Sequence, residues 1–480
     1  MINLILLFPL LACLFLAITK KDKLSNWMIN IYALLHFVVA LAFCFGKDLI
    51  PFWKSCSFFA VNNRNLVFLV IMSLVFLAVA IYNNGYMKTI NESAQKIRHY
   101  AYAVLLFVLA MTGAVLSMNL AVSWIFIEGT TLASAYLIYF HKTKHSIEAA
   151  WKYVFICSIG IALAFVGIIL LTVATGNLNS LNYEDLYRSA QTFNPFWLKL
   201  SFVFILFGIG TKMGLAPVHF WLPDAHAQAP SPISALLSAT LLNSAYLMVL
   251  NVFGIMILAN CDSYARLMML TMGFLSLFIT AVFVYHINNY KRMLAYSSIE
   301  NMGILIIGTA LGGAAMLGSI IHLIGHSLIK ASFFLTSGNI LEVYGTKKIK
   351  SINGLLKVDN KTAWLWIASM LGIVAFPPSV LFLSEFMIAK EMFLNNKITL
   401  CIVFLLLLTI ILYGIAKPVI KMAYSPLNIE KQAELVKVSR KMAWTMYIPQ
   451  IVLLGIAFYL GICMPQEVIS FITNTIIGLQ

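Results

Sequence analysis

The chain has 480 residues, of which 61% are hydrophobic and 10% are charged, and its mean hydropathy is +0.92. Because soluble domains carry about 25% charged residues, this composition excludes a soluble globular protein and predicts an all-α polytopic membrane protein. The formal net charge of +15 does not indicate a nucleic-acid partner, since the basic residues lie mainly in short loops between apolar segments, as the positive-inside rule requires.

Apolar segments long enough to cross a bilayer follow one another along the chain, separated by charged or turn-forming loops. No basic residue precedes the first segment and lysines follow it, so we predict an uncleaved first span rather than a secretory signal. We number about fourteen predicted spans in chain order. They lie near 1–18, 25–45, 65–85, 101–118, 120–140, 149–174, 199–227, 232–259, 265–286, 293–311, 315–343, 363–394, 399–424 and 442–463.

The basic residues predict how these spans are oriented. Most of the 32 lysines and arginines lie in the connections that follow odd-numbered spans. These connections are therefore predicted to face the cytoplasm, and both termini the opposite side. Two basic tracts in these connections, Lys347 to Lys361 and Lys431 to Lys441, are expected to set the topology or to contact anionic lipid.

Charged residues inside or next to the spans are the candidate functional residues, because a charge at membrane depth is unfavourable unless it meets a partner or water. Lysines and acids both occur among them, so they can partner one another. They are Glu128 in span 5, Glu148 and Lys152 at the start of span 6, Lys212 and Asp224 in span 7, Glu300 in span 10, Lys330 in span 11 and Glu385 in span 12.

Span 7 contains a lysine directly before a break in the helix. Lys212 follows a mostly apolar run, and Pro217 and Pro223 come after it. A proline inside a helix removes a backbone donor and clashes with the preceding turn, so span 7 is predicted to be discontinuous, within protein or beside a wet cavity. We expect Lys212 to pair with Glu128 and to load and release a proton. The alternatives are a lysine that snorkels to the surface and a glutamate that a hydroxyl or backbone donor satisfies.

Histidines extend the set of candidates. His322, His326 and Lys330 are spaced i, i+4 and i+8 and form one stripe along span 11. Histidine titrates near neutral pH, which suits a proton relay. His219 and His226 flank the break in span 7 and are further candidates. The alternatives are a structural polar stripe between helices, and a metal site for which we find no further ligands.

The remaining charged candidates have structural alternatives as well. Glu385 follows the Pro377-Pro378 break in span 12 and is expected to end the relay toward one membrane surface, unless Lys390 neutralises it. Lys152 and Glu148 have the i, i+4 spacing of an ordinary helical ion pair.

Spans 4–8 and 9–13 carry similar sequences in the same order. WIFIEG with Glu128 matches YSSIEN with Glu300, Lys152 aligns with Lys330, and PVHFWLPD matches PSVLFLSE. Because five spans separate the copies, we predict two inverted repeats. The predicted divisions are spans 1–3 (1–100), the first repeat (101–260), the second repeat (261–425), and a loop with span 14 and a short tail (426–480).

The cysteines do not indicate a cofactor site. All seven are scattered, mostly within apolar spans, and neither a C-x-x-C pair nor a G-x-x-x-x-G-K-[ST] loop occurs. Iron–sulfur, zinc, disulfide and P-loop nucleotide sites are therefore unsupported, and we predict no cofactor and no metal in this chain.

Six stretches of the sequence together resemble a known family. They are TKMGLAPVHFWLPDAHAQAPSPISALLSA, WIFIEGTTLASAYLIYF, IEAAWKYVFICSIGIAL, KRMLAYSSIENMG, HSLIKASFFLTSGNI and PPSVLFLSEFMI. They are similar to the antiporter-like subunits of respiratory complex I and of Mrp cation/proton antiporters. Within that family they are most similar to the F component of hydrogenase 4, from formate hydrogenlyase-type, energy-converting hydrogenases. The similarity covers spans 4 to 13.

The resemblance implies two inverted five-helix repeats with discontinuous helices 7 and 12. We predict a prokaryotic inner membrane, with both termini on the periplasmic side, as the distribution of basic residues indicates. By motif position the resemblance implies that the translocating residues are Glu128, Lys212, Lys330 and Glu385. It also implies other membrane subunits and a peripheral redox arm as partners, and protons or sodium ions as the transported species.

Two positions depart from the family pattern. Many relatives carry a lysine or histidine in helix 8, where this chain has Asn243, and a histidine in helix 10, where it has Asn301. We expect the relay at this link to use water together with His322 and His326, or its coupling to be altered.

The sequence therefore predicts a proton-translocating, antiporter-like subunit of a membrane redox complex of the hydrogenase or NADH/quinone oxidoreductase type, itself without a redox centre. One alternative is an Mrp-type Na⁺/H⁺ antiporter subunit. Another is a scaffold subunit whose buried charges have no role in transport.

Overall fold

The computed structural model describes residues 1–19, 23–46, 58–90, 92–176, 178, 180–427 and 429–476, which form helices joined by turns. Some residues used in the sequence analysis lie outside the described part of the chain: Lys20 and Lys21 in the first connection, one cysteine (Cys56) and the side chain of Lys431.

The helices are numbered in chain order. Helices α1 to α7 are Ile2–Thr19, Lys23–Cys44, Asn63–Thr89, Ala94–Leu116, Leu120–Ile138, Lys144–Thr175 and Tyr183–Ser189. Helices α8 to α14 are Pro195–Met213, Trp221–Gln228, Ser231–Leu236, Leu242–Leu258, Asp262–Phe283, Tyr290–Leu311 and Gly313–Tyr344. Helices α15 to α21 are Leu355–Val358, Asn360–Ile373, Val380–Leu394, Ile398–Tyr424, Ile429–Ser439, Ile448–Ile462 and Gln466–Ile476.

The predicted spans are recovered, and the predicted fold class is confirmed. Within the described residues, 13 helical segments are long and apolar enough to cross a membrane. Predicted span 12 is not among these 13 segments, because it consists of two helices, α16 and α17, that are each too short to cross the membrane. Span 7 likewise comprises α8 and α9, and span 8 comprises α10 and α11 joined by a π-helical turn at Leu237–Leu241.

Both predicted breaks occur where prolines interrupt the spans. Helix α8 ends at Met213 and is capped by Gly214, whose φ of +73° is the left-handed conformation that glycine adopts without a steric penalty. Pro217 lies between α8 and α9, and Pro377 and Pro378 lie between α16 and α17; each break contains a cis X-Pro peptide bond. The end of α8 is buried, whereas Pro217 in the first break and Phe376, Pro377 and Pro378 in the second are exposed at the surface of this chain.

The two predicted repeats have matching parts. Helices α6 and α14 each contain 32 residues. Helix α6 packs along α8, the first part of one broken span, and α14 packs along both parts of the other, α16 and α17. Nearly all residues of α13 and α14 are buried, whereas most of those of α18 are exposed. The polar residues of α13 and α14 therefore lie at the centre of the bundle.

The chain direction defines two membrane faces. We call the face on which α6 begins and α9 ends the Asp224 face, and the opposite face, which carries α7, the α7 face. The connections after odd-numbered spans, which hold most of the basic residues, lie at the Asp224 face. Four of the described helices were not predicted: α7, α15 in the connection before span 12, α19 in the basic connection before span 14, and α21 in the predicted tail.

Candidate functional site

The first candidate lysine is fully buried beside an aromatic side chain. Lys212 lies in the last turn of α8, and its Nζ donates a hydrogen bond of 3.1 Å to the hydroxyl of Tyr153 on α6. The same Nζ lies 4.8 Å from the centroid of the Tyr153 ring, so a cation–π interaction adds to the hydrogen bond. Lys212 is thus held in the interior and does not snorkel to the surface.

The predicted Lys212–Glu128 ion pair is not formed. No ion pair within 4.0 Å joins the two side chains among the described residues. Glu128 is half-buried on α5 and accepts a hydrogen bond of 3.0 Å from Thr131. The physical reason is that Lys212 reaches Tyr153, whose hydroxyl lies 2.6 Å from Ser134 Oγ on α5. Glu128 and Lys212 are therefore each bonded to a hydroxyl group, Thr131 and Tyr153, and not to each other.

The second candidate lysine is held by the neighbouring helix. Lys330 is fully buried on α14, and its Nζ donates 2.6 Å to the carbonyl of Leu294 and also to the hydroxyl of Ser297, both on α13. These uncharged acceptors solvate an ammonium group without a counter-ion in contact. Glu300, one turn beyond Ser297 on α13, is also buried, and its Oε2 has no hydrogen-bond partner among the described residues.

The histidine stripe of span 11 continues from Lys330 along α14. His326, one turn before Lys330, is fully buried, and neither ring nitrogen has a hydrogen-bond partner among the described residues. His322, one turn further, lies 2.9 Å from Ser384 Oγ and 3.1 Å from Asn301 Oδ1. Since Asn301 Nδ2 donates to the Ser297 carbonyl, its Oδ1 faces the ring, and the His322 Nε2 must donate to it.

His322 therefore connects α13 to α17. Its partner Ser384 directly precedes Glu385, the last charged candidate. Glu385 is half-buried on α17, and no ion pair with Lys390 occurs within the described part of the chain. Neutralisation by Lys390, the alternative raised by the sequence, is not what the structure shows.

Asn243 joins the two repeats. It lies on α11 directly after the π-helical turn, and its Nδ2 donates 2.7 Å to Ser327 Oγ on α14 and 2.8 Å to the carbonyl of Ala239. Its Oδ1 is buried and has no partner in the part of the chain that the structure describes. Both asparagines that depart from the family pattern thus lie at polar contacts with α14.

Unpartnered polar atoms cluster along this line. His226 on α9 is fully buried, stacks on Phe334 at 4.9 Å between ring centroids, and has two unpartnered ring nitrogens; the Nδ1 of His219 in the break is also unpartnered. Buried polar groups are almost always hydrogen-bonded to protein or water. These atoms, with those of Asn243, Glu300 and His326, therefore mark where internal water belongs.

Three predicted residues lie away from this line, in a network at the Asp224 face. Lys152 Nζ lies 2.6 Å from Glu148 Oε1 and 3.3 Å from Asp224 Oδ2, and Asp224 also pairs with Arg292 of α13. Lys152 and Glu148 are about half-exposed, so they form an ordinary surface pair, as their spacing allowed. Lys152 and Lys330 align in the two repeats, but their environments differ, because Lys152 is exposed and Lys330 is buried.

A cavity opens beside this network. Its volume is about 420 Å³, and its lining includes His219, Asp224, His286, Arg292 and Tyr296. It therefore brings the Asp224 face into contact with the break in span 7, where His219 lies.

Two lysines that the sequence analysis assigned to loops are structural partners of α9. Lys291 is fully buried on α13 and donates 2.7 Å to the carbonyl of Ala229, and Lys347 donates 2.7 Å to the carbonyl of Ala227. Both occupy the C-terminal end of α9, where helix carbonyls lack partners and the helix dipole favours positive charge. Burial lowers the pKa of Lys347, which lies outside the spans, to about 8. The KRMLAYSS motif was the available signal for Lys291.

The described residues contain no group of three or more histidine, cysteine, aspartate or glutamate side chains that could hold a metal ion. The arrangement that they do form is a line of buried lysines, histidines and hydroxyls from α5 through α8, α11, α13 and α14 to α17. Such groups can pass protons from one to the next.

Comparison with known proteins shows the family to which this sequence is similar. The family described as "NADH:quinone oxidoreductase/Mrp antiporter, TM" matches residues 117–412. The chain is 33% identical over 408 residues to a hydrogenase-4 component F homolog of Methylacidiphilum infernorum, covering 82% of this chain and 84% of that protein. It is 27% identical over 323 residues to a Na⁺/H⁺ antiporter subunit of Bacillus subtilis, covering 67% of this chain and 65% of the relative.

The fold is also similar to a solved structure, that of the Mrp complex from Dietzia sp. DQ12-45-1b. The TM-score is 0.85 at 18% sequence identity, and the match covers 99% of this chain and 97% of the other. At this identity the likeness concerns the fold alone.

Proposed function

The chain belongs to the NADH:quinone oxidoreductase/Mrp antiporter membrane-subunit family, and on this premise we propose that it translocates protons as one subunit of a membrane-bound redox complex. The observation that carries the proposal is the line of buried ionisable residues through both repeats, with Lys212 and Lys330 fully buried and without a carboxylate in contact. A buried charge is retained against its desolvation cost where function requires it.

The proposed route begins at Glu128 and ends at Glu385. From Glu128 it passes Thr131, Ser134 and Tyr153 to Lys212. The hydrogen bonds of Thr131 with Glu128 and of Tyr153 with Ser134 and Lys212 support this first part. Water would link Thr131 to Ser134, whose hydroxyl donates to backbone carbonyls. Water at the unpartnered atoms of His226 and Asn243 would carry it toward Lys330.

In the second repeat, His326 and His322 follow Lys330 on successive turns of α14. The contact of His322 with Ser384, the neighbour of Glu385, supports this last part. Glu300 is proposed to accept a proton from Lys330 beside the main route. Its unpartnered carboxylate lies one turn from Ser297, whose hydroxyl accepts a hydrogen bond from Lys330.

The chemistry of each step is proton exchange at a nitrogen or oxygen. A buried lysine held only by hydroxyl and carbonyl acceptors can lose its proton more readily than one paired with a carboxylate, because no counter-ion stabilises the ammonium. The proposed events are therefore release from Lys212 and Lys330, and protonation of the carboxylates at the two ends.

The residues at the Asp224 face are proposed to supply protons rather than to store them. Asp224 lines the cavity that also contains His219, and its partners Lys152 and Arg292 hold it in place. Lys152 and Glu148 would therefore act as positioning residues at the entrance.

We propose further that the chain carries no redox cofactor and depends on partners for the redox reaction. The scatter of its cysteines supports the first point. The hydrogenase-4 name of one relative and the multi-subunit Mrp complex of a structural neighbour support the second. The proposed location is the prokaryotic inner membrane with both termini on the periplasmic side, supported by the clustering of basic residues at the Asp224 face.

A second candidate function is Na⁺/H⁺ exchange as an Mrp-type subunit. The similarity to the Na⁺/H⁺ antiporter protein of Bacillus subtilis favours it. In that case sodium would be exchanged without electron transfer.

Purification from the native membrane separates the two functions. We expect the tagged chain to co-purify with a peripheral redox arm, and electron transfer through that arm to acidify or alkalinise proteoliposomes. Sodium-dependent proton movement in vesicles that lack any redox arm would overturn this proposal in favour of the antiporter.

A further inference from the structure

A polar cavity opens on the α7 face, opposite the Asp224 cavity. Its volume is about 380 Å³, and it lies between the start of α3, the end of α4, α7, α11 and α21. Side chains of asparagine, arginine and tyrosine form much of its wall, notably Asn65, Arg64, Tyr187 and Asn251. None of these residues belongs to the proposed route from Glu128 to Glu385.

The polar wall of this cavity extends into the span. Asn251 lies seven residues before Leu258, the last residue of α11, which is about two helical turns from that end. Arg64 donates 3.0 Å to Asn251 Oδ1 and 2.7 Å to the hydroxyl of Tyr187. The Arg64 Nε is buried and has no hydrogen-bond partner in the described residues. A guanidinium nitrogen without a protein acceptor, beside a cavity, marks a water site.

The cavity approaches the central line along one face of α11. Asn243, Leu247 and Asn251 are spaced i, i+4 and i+8, so their side chains follow one another along that face. Asn251 and Leu247 line the cavity, whereas Asn243 does not. Leu247 is 2% exposed and Asn243 is 4% exposed, so Leu247 is the apolar side chain of this face between the cavity and the unpartnered Oδ1 of Asn243.

The distance along α11 from Leu247 to Asn243 is short. One turn of helix, about 5.4 Å, lies between Leu247 and Asn243. Asn243 also contacts Ser327 on α14, next to His326. A water molecule between Leu247 and Asn243 would therefore connect the cavity to the centre of the line, at the link between the two repeats.

We propose that the cavity on the α7 face is the water-filled vestibule through which the central line exchanges protons with that side, with Leu247 as its gate and Asn243 as the first polar group behind the gate. This inference rests on the proposed proton translocation. It assigns Asn243 a role as a hydrogen-bonding group for water, which an uncharged amide fulfils without holding a proton.

Cysteine accessibility tests the vestibule independently of transport. In the full complex with the native cysteines of this chain replaced by serine, single cysteines are placed at Asn251, Asn243 and, as a control on the same helix, Val249, which is buried and does not line the cavity. A charged, membrane-impermeant methanethiosulfonate reagent is applied to vesicles of each orientation.

The expected labelling of these cysteines depends on Leu247. Asn251→Cys reacts from the α7 face only, Val249→Cys does not react, and Asn243→Cys reacts from that face only when Leu247→Ala is also present. Reaction of Asn243→Cys with Leu247 intact, no reaction of Asn251→Cys from the α7 face, or no effect of Leu247→Ala would each overturn the proposal.

Proton conductance then tests the role of the vestibule. Leu247→Ser is expected to raise the passive proton permeability of reconstituted complex about tenfold, because a polar side chain replaces the apolar barrier to water. An unchanged permeability, together with the expected labelling, would mean that the cavity is not a proton path. Retained redox-linked pumping in a Lys212 variant would contradict the proposed function itself, so failure of that function and failure of the vestibule are distinguishable.

Discussion

At the scale of single residues, the environment of Lys212 decides how the first repeat can work. A lysine paired with glutamate would keep its proton until the glutamate moved away, whereas Lys212 bonds to the neutral hydroxyl of Tyr153. That hydroxyl also contacts Ser134, so it can accept a proton from one side and donate on the other. Tyr153 is therefore expected to be a relay member as well as a packing residue.

Tyr153→Phe tests this role. The substitution keeps the ring, and thus most of the packing and the cation–π contact, but removes the hydroxyl that links Lys212 to Ser134. We expect the rate of redox-linked proton pumping to fall about tenfold, which corresponds to a barrier increase of about 1.4 kcal/mol. The measurement is proton uptake by proteoliposomes during electron transfer.

The matched control is Tyr32→Phe, which removes a buried hydroxyl bonded to the Ile5 carbonyl, away from the line. It should leave the pumping rate unchanged. Equal rates in the two variants would show that the Tyr153 hydroxyl is not part of the route.

The sequence identified most of these residues but not their contacts. A lysine or glutamate within an apolar run indicates function, because placing its charge in lipid is energetically unfavourable. Lys212, Lys330, Glu300 and Glu385 could therefore be selected from the sequence alone. Tyr153 could not, because an aromatic residue in a span that is apolar all round gives no indication of which face it occupies. Lys291 was missed because it stands next to Arg292 at the edge of a span and resembles a loop charge.

At the scale of helices, the close packing of α6 on α8 holds Tyr153 and Lys212 together. Two glycines allow this approach: a Cβ atom on Gly208 would lie 2.5 Å from the backbone nitrogen of Ala164, and one on Gly160 would lie 3.0 Å from the carbonyl of Gly208. Since backbone atoms cannot move aside cheaply, any side chain at Gly208 must push the two helices apart.

Gly208→Ala is the corresponding prediction. We expect it to lower the free energy of unfolding by about 1–3 kcal/mol, the usual cost of overpacking, and to reduce pumping because Lys212 moves away from Tyr153. Thermal unfolding of the purified complex measures the first effect and proteoliposome pumping the second. Gly455→Ala in α20 is the control, since nothing lies within 4 Å of a Cβ atom at that position. A melting temperature and a pumping rate like those of the control would contradict the packing argument.

The helix breaks were predictable and the network around α9 was not. A proline disfavours the helix interior, so both discontinuities could be predicted at Pro217 and at Pro377-Pro378, although Pro9 and Pro418 lie inside α1 and α18. The contacts that fix α9 come from distant segments: Lys152 and Arg292 bind Asp224, and Lys291 and Lys347 bind its terminal carbonyls. Such contacts depend on how the repeats pack, which local patterns do not encode.

At the scale of the whole molecule, the line of ionisable groups crosses from one repeat to the other through α13 and α14, the most buried of the long helices. Asn243 and Asn301, where many relatives carry ionisable residues, bind Ser327 and His322 of α14. The contact between the repeats is thus a hydrogen bond of the uncharged Asn243 amide with Ser327, and Lys212 and Lys330 lie on either side of it.

Proton transfer through the first repeat depends most directly on Lys212. Lys212→Ala in the complete complex should assemble normally and retain electron transfer, but lose redox-linked proton pumping in proteoliposomes, because the first repeat then lacks its buried proton carrier. Lys199→Ala on the same helix, whose lysine lies over Tyr264 away from the line, is the control and should pump normally. Full pumping by a correctly assembled Lys212→Ala complex would contradict the account.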